Sequence, residues 1–311
     1  MARITTAFGA RSTAGEVARG IDLSGKRIIV TGASSGIGIE TARALARTGA
    51  EVTLAVRNIA AGEDAARDIV ASSGNRNVRV VFLDLSDRGS IASFVSAWDG
   101  PLHVLVNNAG VMATPEQYTP EGWELQFAIN HLGHFALSAG LHDALALGAP
   151  ARIVSVSSSA HMLSPVIFDD VHFAFRRYEP LPAYGQSKTA NVLFAVEASQ
   201  RWAGDGITVN ALHPGGIRTQ LQRYVSEEEL DRLRAATGSR QPNWKTPEQG
   251  AATSTMLAAS PLIEGVSGRY FEDCNEAGPN QPGTRTGVAA HALDPEAAAR
   301  LWDVSEAYLA S

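Results

Sequence analysis

The sequence predicts a doubly wound α/β fold: one parallel sheet of about seven strands with helices on both faces. Three observations carry this. Short continuous apolar runs recur along the chain, as at Arg27–Thr31 and His103–Asn107, and such strands belong to a sheet buried on both faces. Helical stretches separate them, and alternation of strand and helix gives right-handed βαβ units. A glycine run, Thr31-Gly-Ala-Ser-Ser-Gly-Ile-Gly38, joins the first strand to the first helix.

The elements follow in order. Residues 1–24 read as a polar lead-in with a short helix through Ala14–Arg19, and residues 25–311 as one domain. Arg27–Thr31 is the first strand, and Gly36–Thr48 is a helix that ends at Gly49, a residue suited to a helix C-terminus. Strands at Glu51–Val56, Val78–Leu83 and His103–Asn107 alternate with helices at Ala60–Ser72 and Asp87–Trp98. A long helix is expected from Pro120 to about Leu147, then a strand at Ala151–Val156, a helix at Ala183–Trp202 and a strand at Thr208–Leu212. Residues 216–247 break the rhythm: they are polar and charged, with a helix expected at Ser226–Ala236, and about 216–246 reads as a substrate lid. Val266–Phe271 is the last expected strand and Pro295–Leu309 the last helix.

Composition excludes several classes. The 311 residues are 45% hydrophobic, enough for one large core. The net charge of −6 is spread along the chain, with no basic block for nucleic acid or an anionic membrane. No apolar run approaches a membrane span, and the N-terminus lacks the apolar core of a signal peptide, so no membrane anchor and a cytoplasmic location are expected. Cys274 is the single cysteine, which excludes an intrachain disulfide and a cysteine-rich metal site.

The glycine run points to a dinucleotide. Gly32, Gly36 and Gly38 let the backbone turn tightly and approach a pyrophosphate seated at the helix N-terminus, beside Ser34, Ser35 and Ile37. The second strand ends Ala55-Val56-Arg57-Asn58, with no acid at its tip. An acid there would bind a ribose 2′-hydroxyl, whereas an arginine accommodates a 2′-phosphate, so NADP(H) is expected over NAD(H). Asp84-Leu85 ends the third strand, where an adenine would cross the sheet edge. Asp84 could equally cap the next helix, in competition with Ser86 and Asp87. Asn107-Asn108-Ala109-Gly110 ends the fourth strand, where small and amide residues let a ribose approach the backbone.

Tyr184 and Lys188 stand four residues apart, on one face of an expected helix. Lys26, Lys188 and Lys245 are the only lysines among 26 basic residues, so a lysine at this spacing is notable. Its positive charge is expected to favour the phenolate and lower a pKa that otherwise lies near ~10. A phenol tuned in this way can give and take a proton during hydride transfer between a carbonyl and an alcohol.

Together these motifs, with Pro214-Gly215 beyond the sixth strand, resemble the short-chain dehydrogenase/reductase family in its single-domain Rossmann-fold branch. The likeness spans about Lys26 to Ser311. Gln126-Phe-Ala-Ile-Asn-His-Leu-Gly-His-Phe135, Tyr184-Gly-Gln-Ser-Lys-Thr-Ala-Asn-Val-Leu193, His213-Pro-Gly215 and Leu301-Trp-Asp-Val-Ser305 are most similar to the retinol dehydrogenase and WW-domain oxidoreductase group. They are also similar to the plant chloroplast translocon-associated dehydrogenase, as is the lead-in Ser12-Thr-Ala-Gly-Glu-Val-Ala-Arg-Gly-Ile-Asp22.

The resemblance implies a catalytic tetrad. Tyr184 would be the general acid in reduction and the base in oxidation. Lys188 would lower its pKa and hold the nicotinamide ribose. Ser158 would bind the substrate oxygen, with Ser157 as the alternative in the run Ser157-Ser-Ser159. Asn130 would hold a water that links Lys188 to solvent. Pro214, Gly215 and Thr219 would border the nicotinamide. A homodimer or homotetramer through the helices at 120–147 and 183–203 is also implied.

Ser158 and Tyr184 are separated by 25 residues, more than in the shortest family members. The stretch Ser159–Ala183 carries His161, Met162, Phe168, Phe173, Phe175 and Tyr178, and is read as a wall of the substrate pocket. That implies a bulky, largely apolar carbonyl or alcohol. His161 is read as packing rather than as a base or metal ligand. The competing function is an NADPH-binding redox sensor or scaffold with little turnover.

Overall fold

A computed structural model describes residues 3–226, 228 and 244–311. Its elements are α1 (Ala14–Val17), β1 (Arg27–Thr31), α2 (Gly36–Arg47), β2 (Glu51–Val56), α3 (Ile59–Ser73), β3 (Val78–Phe82), α4 (Arg88–Ser96) and β4 (Val104–Asn107). There follow α5 (Leu125–Phe127), a π-helical turn (Ala128–Leu132), α6 (Gly133–Gly140), α7 (His142–Leu147), β5 (Ala151–Val156), α8 (Pro180–Arg201) and β6 (Ile207–His213). Beyond residue 244 come α9 (Pro247–Gly250), α10 (Ala252–Ala259), β7 (Tyr270–Glu272), β8 (Asn275–Glu276) and α11 (Pro295–Ala310).

The sheet order is β3-β2-β1-β4-β5-β6-β7-β8, with every pair parallel except β7–β8. The order reverses between β1 and β4, so a crevice opens beyond their carboxyl ends. Alternate strand residues feed opposite faces. Ile29, Leu105, Ile153 and Val209 pack under α4, α6, α8 and α11, whereas Ile28, Val30, Val106, Val154 and Leu212 pack under α2, α3 and α10. This two-sided burial is why the strands read as continuous apolar runs. Each fully buried Ile, Leu or Phe stabilises the fold by roughly 1.5–3 kcal/mol relative to an exposed one.

Several expectations need correction. The long helix from Pro120 does not form as one piece. Gly122 adopts φ +83 in a turn closed by Thr119 and Trp123, so helix starts only after Glu124, whose carboxylate accepts from the amides of Gln126 and Phe127. The segment then passes through the π-helical turn at Asn130 and ends in the separate α7. The strand expected at Val266–Phe271 lies at Tyr270–Glu272, because Gly268 turns the chain at φ +73 before the ladder begins, and a further short strand, β8, follows it. The helix expected at Ser226–Ala236, and much of the expected lid, fall outside the described residues.

Beyond Ser159, the stretch Ser159–Ala183 does not line the crevice. It forms 3₁₀ turns at Ser159–Leu163 and Phe168–Asp170, and packs Val166, Phe168 and Val171 against Trp123 and Phe127, against Leu193 of α8 and against Leu301 of α11. Phe175 is 91% exposed. The expectation that helix 183–203 offers a face to a second copy also fails for most of its length. Every residue from Ala183 to Ala198 is buried within one chain, with α11 packed along α8.

The lead-in is tied to the domain. Ile4 donates its amide to Glu276 Oε2 and accepts from the Glu276 amide, and Thr6 bonds Asn275 Oδ1 and the Cys274 carbonyl. Among the described residues, no helix is long and apolar enough to cross a membrane.

Candidate active site

The β1–α2 turn is built around close approach. Gly32 has φ +67, and a Cβ there would lie 2.8 Å from Ala109 Cα. A Cβ at Gly38 would lie 2.6 Å from Asn108 Nδ2. Only glycine lets the turn and the exit of β4 touch in this way. Thr31 fastens them: its Oγ1 accepts from the amides of Asn108 and Ala109, each at 2.9 Å, and its carbonyl accepts from Asn108 Nδ2 at 2.7 Å.

Thr31 Oγ1 also lies 2.9 Å from His134 Nε2, while His134 Nδ1 lies 3.0 Å from the Asn130 carbonyl. A carbonyl only accepts, so Nδ1 carries the proton. Burial pushes His134 down to about 4, which leaves the ring neutral and makes Nε2 an acceptor for the Thr31 hydroxyl. Sequence reasoning assigned no role to Thr31 or His134. The signal was the motif Asn130-His-Leu-Gly-His134, which puts His134 one helical turn beyond Asn130.

A cavity of about 870 Å³ occupies the crevice. Gly32, Ser34, Ser35, Gly36, Ile37, Gly38, Arg57, Asn58, Asp84, Leu85, Asn108, Ala109, Gly110, Pro214, Gly215 and Thr219 all line it, as do Ser158, Tyr184 and Lys188. None of the six large side chains of the 159–183 stretch does so, which removes the observation on which a bulky, largely apolar substrate was expected. The site takes in Leu221 and Trp244 from the expected lid, and also Met112 and Gly283–Thr286, which the sequence did not single out.

Asp84 is not the cap of α4. Asp87 caps α4 by accepting from the Gly89 amide, whereas Asp84 Oδ1 accepts from the amide and hydroxyl of Ser86. Asn58 caps α3 through the Ala61 amide, while Arg57 faces the cavity.

Tyr184 and Lys188 share one face of α8, with Lys188 Nζ 5.7 Å from the Tyr184 ring centroid. The expected lowering of the phenol is not what the surroundings produce. Burial pushes Tyr184 up to about 12, opposed by a hydrogen bond with Ser158 and the positive charge of Arg285. Burial also pushes Lys188 down to about 7, and its Nζ donates to the Val156 carbonyl at 2.9 Å. Desolvation thus outweighs mutual charge here.

The three serines separate cleanly. Ser157 Oγ donates to the Lys188 carbonyl at 2.7 Å, and Ser159 Oγ accepts from Arg285 Nη2 at 2.9 Å. Ser158 is the one hydrogen-bonded with Tyr184. Asn130 lies off the cavity wall. Its Oδ1 accepts from the Val111 amide, and its Nδ2 donates to the Val111 carbonyl and Ser187 Oγ, each at 2.9 Å. Gly215 adopts φ +99 beside Lys245, which pairs with Asp273 at 2.5 Å. His161 is buried, pushed down to about 4 and off the cavity wall.

These residues fit a nicotinamide dinucleotide. The turn tolerates no side chain at Gly32 or Gly38, Ser35 makes no side-chain cap at α2, and Asn108 Oδ1 is buried without a protein partner on the cavity wall. A doubly wound sheet with such a turn, and a tyrosine, lysine and serine at its carboxyl edge, defines a nucleotide-dependent oxidoreductase.

The chain belongs to the short-chain dehydrogenase/reductase family, whose short chain dehydrogenase profile matches residues 26–230. It is 55% identical over 293 residues to a probable oxidoreductase of Streptomyces antibioticus, covering 91% of this chain and 97% of that one. It is 42% identical over 296 residues to retinol dehydrogenase 12 of Homo sapiens, covering 94% and 89%. A crystal structure of an uncharacterized protein from Mycobacterium Paratuberculosis superposes with a TM-score of 0.73 at 34% identity, covering 94% of this chain and 97% of that one.

Proposed function

We propose that the chain is an NADP(H)-dependent oxidoreductase that interconverts a carbonyl and an alcohol. The observation that supports it best is continuity. One cavity runs from Arg57, through the glycine turn, to Ser158, Tyr184 and Lys188.

In this reading the first turn of α2, Gly36–Gly38, receives the pyrophosphate, and Arg57 with Ser34 and Ser35 receives the 2′-phosphate. Asp84 and Leu85 flank the adenine, and Asn108–Gly110 with Pro214, Gly215 and Thr219 flank the nicotinamide half. The bound nicotinamide supplies or accepts the hydride. Ser158 donates to the substrate oxygen and stabilises charge that develops there. Tyr184 gives that oxygen its proton in reduction and removes it in oxidation. Lys188 holds the nicotinamide ribose, and where it is protonated its charge favours the phenolate. Asn130 acts as a positioning residue, because both its amide groups brace Val111 and Ser187.

The test is NADPH consumption against aldehydes, quinones and ketones, with Tyr184→Phe as control. Turnover that falls about 10²–10⁴-fold in the variant is expected. NADPH binding without turnover on any of them would sink the reductase reading and favour a redox sensor.

A further inference from the structure

The amino ends of β1, β2 and β3 hold a second cavity, of about 300 Å³, at the end of the strands opposite the crevice. Parallel register places its side chains. Arg27 lies beside Glu51, and Thr53 beside Arg79. Residues two apart on a strand share a face, so these four project together, on the face that Trp98 covers.

Two guanidinia share one indole there. Arg27 stands 4.3 Å and Arg79 5.1 Å from the Trp98 ring centroid. Arg27 Nη1 donates to the carbonyls of Asp99 and Pro101, and Arg79 Nε donates to Thr53 Oγ1 at 2.8 Å. Trp98 is itself fixed, since its Nε1 donates to the Gly100 carbonyl at 3.1 Å. Arg76 lines the same cavity, exposed and, among the described residues, without a hydrogen bond or ion pair.

The anchors of Arg27 and Arg79 are thus mostly neutral: a hydroxyl, two carbonyls and an aromatic face. Against the three guanidinia the wall sets one carboxylate, Glu51, whose side chain is 54% exposed and 3.8 Å from Arg27 Nε. The positive charges press on one another. Burial and then the charge of Arg27 lower Arg79, and burial, Lys26 and Arg27 together lower His103, whose Nδ1 accepts from the Arg27 amide. An anion seated among like charges held in this way relieves their repulsion. Arginine forks match phosphate oxygens in particular. A water molecule's share of the liquid is about 30 Å³, so the cavity has room for a phosphate and for the body of a small ester attached to it.

We propose that this cavity binds a phosphate group, free or carried on a small ester, apart from the crevice. The site is independent of the oxidoreductase reading, because it stands at the other end of the strands.

The test titrates glycerol 3-phosphate and inorganic phosphate calorimetrically into the whole protein at fixed ionic strength, with glycerol as the uncharged control. Binding of phosphate and none of glycerol is expected. Arg79→Met keeps an apolar stem over Trp98 and should weaken phosphate binding about 10–100-fold, as loss of a charge-assisted hydrogen bond implies. Arg79→Lys should keep part of the affinity. Arg76→Met leaves no partner behind it in the fold and should weaken binding as well. A thermal melt of each variant checks folding. The crevice could also take phosphate, so Arg57→Asp is its control and should leave this binding unchanged.

A wild-type protein that binds neither phosphate overturns the proposal. So does binding that survives both Arg79→Met and Arg76→Met, or that is lost in Arg57→Asp. Equal affinity for ester and free phosphate assigns the site to the free anion, and a tighter ester assigns it to a phosphorylated small molecule. A protein that shows this binding but takes up no NADPH keeps the phosphate site and loses the oxidoreductase reading.

Discussion

Thr31→Val is the sharpest test of how the crevice is held open. Valine keeps the shape of threonine and fits the β1 strand, so packing is nearly conserved. The lost hydroxyl, however, serves four partners: the amides of Asn108 and Ala109, the Nε2 of His134 and, at 3.3 Å, the Val106 carbonyl. Leaving a buried polar group unpaired costs about 1–3 kcal/mol, so the Ala109 amide and His134 Nε2 together should cost about 2–6 kcal/mol, while the Asn108 amide keeps the Val106 carbonyl at 3.0 Å. That is a large share of the ~5–15 kcal/mol by which a domain is usually stable. His134 cannot repair the loss by changing tautomer, because it would then release the Asn130 carbonyl. Thr31→Ser keeps the hydroxyl and loses one methyl, at about 1 kcal/mol. Urea unfolding followed by tryptophan fluorescence gives both values. If Thr31→Val costs no more than Thr31→Ser, the clasp between the turn and β4 is not held by this hydroxyl.

Three further outcomes follow from the site. Arg57→Asp should lower the ratio of NADPH to NADH affinity by roughly 10–100-fold, since it replaces a charge-assisted contact with repulsion; an unchanged ratio in fluorescence titrations would end the NADP(H) assignment. Lys188 is held down to about 7 from 10.5 by burial, whereas Tyr184 is raised from 10.0 to about 12. Between pH of about 7 and 10 the unfolded chain therefore binds a proton at Lys188 that the folded chain does not. Lys188 thus makes stability rise with pH across that window, by a few kcal/mol on the order-of-magnitude scale of such shifts. Lys188→Met should flatten that rise in denaturant midpoints measured across the window, and a variant with the same slope as the wild type would refute the buried, neutral lysine. Alcohol oxidation, which needs the Tyr184 phenolate, should climb with pH through the alkaline range, and an oxidation rate that plateaus near neutrality would contradict the raised phenol.

Much of this was legible in local patterns. Ile28, Ile29 and Val30 read as a strand buried on both sides because they are one. The glycine spacing located the turn because Gly32 and Gly38 have no room for a Cβ. What failed depended on where segments go in space. The aromatics of the 159–183 stretch were read as a pocket wall, but composition does not say whether Phe168 meets substrate or Leu301. The i, i+4 spacing of Tyr184 and Lys188 fixed their shared face but not their burial, and burial sets the direction of both pKa shifts. Arg285 could not be foreseen at all, since only the folded loop carries it to Ser159, 126 residues away in sequence.

The lead-in has a consequence for handling the protein. A sheet's last strand offers unpaired backbone to any passing chain, and such edges template aggregation. Here that edge is β8, and residues 4–6 already lie across it, with Ile4 exchanging hydrogen bonds with Glu276. An expression variant trimmed to start at Lys26 would keep every element that lines the crevice, yet leave that edge bare. It should bind cofactor and still come off a sizing column as mixed, growing assemblies.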